Sequence, residues 1–78
     1  MADPGDYYRG QFRAAEITEP VGWRGSSTRT AIHVVNLHGA VVCDLNTLRR
    51  GVSVRNLDGN PKDLATCGRC ASWAHQNL

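Results

Sequence analysis

The sequence predicts a small α+β domain built from antiparallel β-hairpins and a short C-terminal helix. Two β-branched segments flank a glycine-containing turn, a third alternating segment precedes a dense turn signal, and an alanine-containing segment closes the chain. With 78 residues, of which 41% are apolar, the chain is expected to form one domain with a small core. Such a core contributes only about 3 to 5 kcal/mol, so we expect an additional source of stability.

Residues 1–27 are predicted to form a partly disordered N-terminal arm, and residues 28–78 the folded domain. The arm is rich in small, polar and charged residues, but it also contains aromatic residues that flexible tails usually lack. The segment from Tyr7 to Glu16 is compatible with a helix, and Ile17 to Trp23 is expected to be extended. Phe12 and Trp23 either pack against the domain, which a small core favours, or contact a partner.

The clearest structural signal is a predicted hairpin, with strands from Thr30 to Val35 and from Ala40 to Leu45. A three-residue loop centred on His38 would place His33 opposite Cys43. Their side chains would then share a face of the ladder, with Cβ atoms about 5 Å apart. A register shift by one residue would separate them, so this pairing depends on the loop.

The remaining elements are shorter. Val52 to Leu57 alternates as a strand does, Asp58 to Pro61 has strong turn chemistry, and Leu64 to Cys67 can return as a second hairpin. Thr47 to Arg50 is expected to form a helical turn or a loop. Cys70 to the C-terminus is predicted to form a short helix, which needs an anchored first turn to be stable.

The cysteines and histidines predict a metal site. Cys67 and Cys70 form a CxxC motif, whose spacing lets two thiolates bind one tetrahedral Zn²⁺. A thioredoxin-like redox pair has the same spacing but belongs beside a βαβ pattern, which is not found here. His33 and Cys43 complete the set H-x9-C-x23-C-x2-C. Taken alone, Cys43 could be a small buried apolar residue and His33 a solvent-facing strand residue. Two alternatives for the histidine ligand remain open, namely His75 and, less favoured, His38.

The four residues His33, Cys43, Cys67 and Cys70, with a hairpin before the last pair and a helix after it, resemble a known class of small module. They are similar to the treble-clef or zinc-ribbon-like Cys3His modules of short actinobacterial and actinophage proteins, over about residues 28–78. A typical treble clef differs in order, since its CxxC turn commonly precedes the hairpin. The resemblance implies a zinc-stapled fold with one structural ion, in a phage or bacterial adaptor or regulator.

Several functional classes are disfavoured by the sequence. No apolar run is suited to a signal peptide or a membrane span, and three cysteines cannot all pair within one chain, so we expect a cytoplasmic protein. An enzyme is not expected, because four ligands leave no open position on the ion. In addition, the two glutamates lie in the arm and no HExxH motif is present. A small-molecule substrate is not expected either.

Two classes of macromolecular partner remain. We favour a protein partner because aromatic side chains dominate the energetics of protein interfaces. The expected anchors are Tyr7, Tyr8, Phe12 and Trp23. The alternative is a nucleic-acid partner, although the net charge of +2 is mild and no basic run is present. The residues expected to contact phosphates in that case are Arg49, Arg50, Arg55 and Arg69.

Overall fold

The sheet has three antiparallel strands in the order β2-β1-β3, in a computed structural model that describes residues 12–78. Strand β1 spans Phe12–Val21, β2 spans Ser27–Asn36 and β3 spans Ser53–Leu57. A 3-10 turn, Trp23–Gly25, joins β1 to β2. Helix α1 spans Pro61–Leu64 and helix α2 spans Gly68–Asn77. No helix in this part of the chain has the length and apolar character required to cross a membrane.

The central strand β1 lies in the range that the sequence assigned to an arm. Ala14 pairs with Val34 on one side and with Leu57 on the other. The helix predicted from Tyr7 to Glu16 is therefore wrong from residue 12 onward, and residues 7–11 lie outside the described residues. Pairing on both edges outweighs the helix propensity of this alanine-containing stretch. Extended structure from Ile17 is confirmed as far as Val21, and the predicted boundary at residue 27 falls at the start of β2.

The predicted hairpin around His38 has the expected register but only one β-bridge. Val35 pairs with Val41, and the amide N–H of Asn36 donates to the carbonyl of Ala40 at 3.0 Å. The strand predicted from Ala40 to Leu45 is not formed, because the chain turns after Val41. The N–H of Asp44, at φ 65°, donates back to the Val41 carbonyl at 3.0 Å. Strand β2 pairs along its whole length with β1 instead.

The second predicted hairpin is also absent, although its first strand exists as β3. Ser53–Leu57 pairs with β1, and Leu64 ends helix α1 rather than starting a strand. Thr66 then joins the free edge of β2: its N–H donates to the Ile32 carbonyl at 2.9 Å, and its hydroxyl accepts from the Ile32 N–H at 2.8 Å. This contact places the CxxC motif, which begins at the next residue, beside the edge of β2.

The predicted C-terminal helix is confirmed as α2, which packs through Cys70 and Ala74, one turn apart. The ring of Trp73 lies against Phe12, with ring centroids 4.8 Å apart. The buried apolar residues of the core are mostly small. They are Ala14, Ala15, Ile17, Val34, Val35, Val41, Cys70 and Ala74. A core of this kind buries little area per residue, so the fold depends on further interactions.

Candidate metal centre

His33 is a buried histidine on β2, with 6% of its surface exposed. Its ring nitrogen Nδ1 lies 3.5 Å from the sulfur of Cys43 and 3.5 Å from the sulfur of Cys70. Strand β2 fixes the backbone of His33 opposite Ala15 of β1. The imidazole therefore faces two sulfur atoms from a position that the sheet holds rigid.

Cys43 reaches the site from the turn that follows Val41. The Val35–Val41 bridge sets the register that the sequence predicted, so position 43 comes back toward position 33. The sulfur of Cys43 lies 4.0 Å from the sulfur of Cys67, too far for a disulfide, and all three cysteines are free thiols. The proximity of His33 and Cys43 is therefore confirmed, even though the strand expected to carry Cys43 is replaced by a turn.

The CxxC motif forms the first turn of α2, with Cys67 at the N-cap. Burial raises the pKa of Cys67, but the backbone N–H groups of Cys70 and Arg69 and the neighbouring thiols outweigh this effect, and the net pKa is lowered. The surroundings of the first turn of α2 therefore favour the ionised form of this sulfur more than water does.

The four ligand atoms of His33, Cys43, Cys67 and Cys70 all lie within 4.8 Å of one another. A tetrahedral ion with metal–sulfur bonds near 2.3 Å and a metal–nitrogen bond near 2.05 Å requires separations of about 3.8 Å between sulfurs and about 3.6 Å from sulfur to nitrogen. The observed 4.0 Å and 3.5 Å agree with both values. The cluster can therefore hold a metal ion.

The electrostatics of the cluster favour a cation. Burial, together with the smaller effect of the neighbouring thiols Cys43 and Cys67, raises the pKa of Cys70 to about 12. Burial also lowers the pKa of His33, which keeps the imidazole neutral with a lone pair available. Because the sulfurs are close together and partly desolvated, they cannot all ionise without a positive charge between them. A divalent ion supplies that charge and takes the place of the thiol protons.

Glu19 is a residue near the site that the sequence analysis assigned to the arm. It is only 6% exposed and lines a surface groove of about 440 Å³ together with His33 and Cys67. Its carboxylate accepts from the Arg29 guanidinium at 2.6 Å and at 3.2 Å. The signal that could have found it is the two-residue alternation of Ala15, Ile17 and Glu19, which places all three on one face of a strand.

The other two histidines are not in the cluster. His38 lies in the exposed turn after β2, and His75 lies on an exposed position of α2. Cys70 and Ala74 are the buried residues of that helix, so its inner face excludes position 75. Of the three histidines that the sequence offered, only His33 lies in the cluster with the cysteines.

The aromatic residues predicted to bind a partner are separated by the structure. Phe12 packs against Trp73 and is partly buried, so its side chain contributes to packing within the domain. Trp23, by contrast, is 79% exposed at the β1–β2 turn, so the expectation that a small core would take it is wrong. Tyr7 and Tyr8 lie outside the described residues.

The four arginines predicted for nucleic-acid binding lie at three places. Arg49 and Arg50 line one surface depression beside the β1–β2 turn. Arg55 on β3 pairs with Glu16 at 3.1 Å. Arg69 lines the groove next to Cys67. The four side chains are therefore not brought together in one surface.

No protein-family model, curated protein or solved structure matches this chain. The resemblance to treble-clef or zinc-ribbon-like modules stays a prediction.

Proposed function

We propose that this protein is a structural zinc module in which one Zn²⁺ is bound by His33 Nδ1 and the sulfurs of Cys43, Cys67 and Cys70. The supporting observation is that four ligand atoms lie within 4.8 Å of one another, with one sulfur–sulfur distance of 4.0 Å and two sulfur–nitrogen distances of 3.5 Å close to those of a tetrahedral ion. A set of three thiolates and one imidazole suits zinc, whereas Mg²⁺ and Ca²⁺ prefer oxygen ligands.

The proposed ion has a structural rather than a catalytic role. A catalytic zinc keeps one position open for water and has a general base nearby, whereas here four protein ligands fill the tetrahedron. Glu19 lines the neighbouring groove, but its carboxylate is held by Arg29. Both points support a non-catalytic ion, and we propose that the module is not an enzyme.

The proposed ion would join three segments of the chain. His33 belongs to β2, Cys43 to the turn after Val41, and Cys67 and Cys70 to the first turn of α2. The apolar side chains between these segments are small. Zinc binding would therefore contribute directly to the free energy of folding, as in other small metal-dependent domains.

The zinc proposal is tested by elemental analysis of untagged protein purified without added metal. We expect one zinc per chain. Cys70→Ser is expected to lose the ion, and His33→Ala to lose or strongly weaken it, while the matched control His75→Ala keeps full occupancy because position 75 is exposed. A folded protein without metal, or loss of zinc in His75→Ala and not in His33→Ala, would contradict the assignment.

We further propose that the folded module acts by binding a macromolecule, in the cytoplasm, where three closely spaced thiols stay reduced. A phage or bacterial adaptor or regulator, with a protein partner preferred, is the role expected from the sequence. Phe12 supports that role less than expected because it packs on Trp73, whereas Trp23 remains available at 79% exposure. The surface around Trp23 is the strongest support for a binding function.

A further inference from the structure

Three arginine side chains line one surface depression of about 500 Å³ at the β1–β2 turn. Arg24 belongs to the 3-10 turn, and Arg49 and Arg50 belong to the loop that precedes β3. Pro20 and three glycines complete the lining, and no acidic side chain of residues 12–78 is among it. The glycine backbone leaves the floor open to close approach by a ligand.

The two loops that form the depression are fixed to one another. The Arg49 guanidinium donates to the carbonyl of Pro20 at 2.8 Å and lies 3.8 Å from the Glu19 carboxylate. Gly51 has φ 88°, and a Cβ atom at that position would lie 3.3 Å from the Pro20 ring. Arg49 and Arg50 are therefore held near Arg24 before any ligand binds, which lowers the entropic cost of ordering these side chains on binding.

Trp23 provides an exposed aromatic surface next to these charges. The Arg24 guanidinium carbon lies 5.5 Å from the centroid of the Trp23 ring, so it is positioned to cover one face and leave the other accessible. Arg24 has φ 52°, a left-handed conformation that is unfavourable for a residue with a Cβ atom. A left-handed conformation at an arginine lowers the stability of the fold. Such strained residues are often found at ligand-binding sites.

We propose that this surface, formed by Trp23, Arg24, Arg49 and Arg50 and called the Trp23 surface below, binds single-stranded nucleic acid. The guanidinium groups match the phosphates, and the free face of the indole matches one unpaired base. Arginine and tryptophan are also enriched at protein interfaces, but three arginines in a depression whose lining contains no acidic side chain match a polyanion in particular. A duplex keeps its bases stacked on one another and cannot offer the indole a free one.

The inference requires only the folded protein and does not depend on which metal holds it. It is tested with the full chain, whose zinc content and circular dichroism are measured in the same sample. This separates a failure of binding from a failure of the metal assignment. The probe is a fluorescein-labelled oligo-dT of about 20 nucleotides at about 20 mM salt, followed by fluorescence anisotropy and by tryptophan emission.

We expect binding that quenches tryptophan emission and weakens as salt is raised. Trp23→Ala should lose the quenching, although Trp73 remains, and weaken affinity about tenfold. Arg24→Gln and Arg50→Gln should each weaken binding and reduce the salt slope by about 0.7 for each phosphate contact removed. The matched control is Arg55→Gln, which removes the same charge from a residue that pairs with Glu16 on β1. It should leave affinity within twofold of the original.

Three outcomes would overturn the proposal. The first is no binding of oligo-dT by folded, metal-loaded protein at low salt. The second is an equal loss of affinity in Arg50→Gln and Arg55→Gln, which would indicate nonspecific attraction to net charge. The third is a glutamate-rich peptide or a duplex of equal length binding as tightly as oligo-dT, which would assign the surface to an acidic protein segment or to double-stranded nucleic acid.

Discussion

On helix α2, which carries Cys70, Trp73 packs against Phe12 with ring centroids 4.8 Å apart, whereas at the β1–β2 turn Trp23 is 79% exposed. Both residues belong to a chain with few large apolar side chains. Burying Trp23 would add more apolar contact than any alanine of the core supplies. Its exposure indicates that the domain folds without burying every large apolar side chain, and the proposed metal ion would supply the missing stability.

Charge is also used differently in the two regions. Burial favours the neutral forms of His33 and Cys70, so their pKa values are lowered and raised, respectively, and a nearby cation would favour ionisation of the cysteine. At the β1–β2 turn, Arg24 and Arg50 form no ion pair with another residue of 12–78. Glu19 connects the two regions, since it lines the groove beside His33 and also approaches Arg49.

The largest expected effect is the loss of the fold on metal removal. Structural zinc contributes about 10 to 16 kcal/mol in small zinc-dependent domains, compared with about 3 to 5 kcal/mol from a core of this size. A strong chelator should therefore abolish the β-sheet signal in circular dichroism. Tryptophan emission should shift to the red through Trp73, because Trp23 is already exposed.

Readdition of zinc should restore both signals, which is the control for irreversible damage. A chelated protein that keeps its sheet and its blue-shifted emission would show that the core alone maintains the fold. The contrast between the two regions would then need another explanation.

The ligand cluster was largely predictable from the sequence, whereas the pairing of the strands was not. Ligand chemistry restricts the choice of residues to cysteine and histidine, and the turn around His38 sets a register that brings position 43 to position 33. By contrast, Ala14, Ala15 and Glu16 have good helix propensity, so the first half of β1 was predicted to be helical and only the part from Ile17 onward to be extended. Its strand conformation results from pairing with β2 and β3, which no local pattern in residues 12–16 indicates.

The Trp23 surface was missed for a related reason. Arg24 and Arg50 are far apart in the sequence, and their loops are brought together by the pairing of β1 with β3 and by the contact between Pro20 and Arg49. The sequence-based set grouped Arg49 and Arg50 with Arg55 and Arg69, which lie elsewhere. Exposure of a tryptophan is likewise a property of the folded chain, and residue type alone favours the opposite expectation.

The next largest loss of stability is expected from truncating Phe12, which packs against Trp73 of helix α2. Phe12→Ala should lower the free energy of unfolding by about 2 to 3 kcal/mol, below the range for fully buried phenylalanine because Phe12 is only partly buried. Trp23→Ala should change it by less than about 0.5 kcal/mol. Both are measured by urea unfolding at fixed free zinc. Equal losses in the two variants would mean that Trp23 packs in solution.

A smaller loss of stability should follow from removing the negative charge of Glu19, which lies near both His33 and Arg49. Glu19→Gln should cost about 1 to 2 kcal/mol. This is less than a fully buried pair is worth, because Arg29 is 68% exposed and can be solvated. The matched control is Glu16→Gln, whose partner Arg55 is 70% exposed and which should cost less than about 0.5 kcal/mol. Urea unfolding of the two variants gives the comparison, and a larger loss in Glu16→Gln would contradict the role given to Glu19.

The smallest expected change in stability concerns Arg24. Two substitutions there distinguish the cost of its backbone conformation from the role of its side chain. Arg24→Ala and Arg24→Gly both remove the guanidinium and its contact with Trp23, but only glycine adopts φ 52° without strain. We expect the glycine variant to be more stable than the alanine variant by about 1 kcal/mol in urea unfolding. Both should bind oligo-dT equally weakly, since the lost charge is the same. If alanine were the more stable variant, the left-handed conformation at position 24 would carry no cost, and the strain would not be evidence that this turn is shaped for recognition.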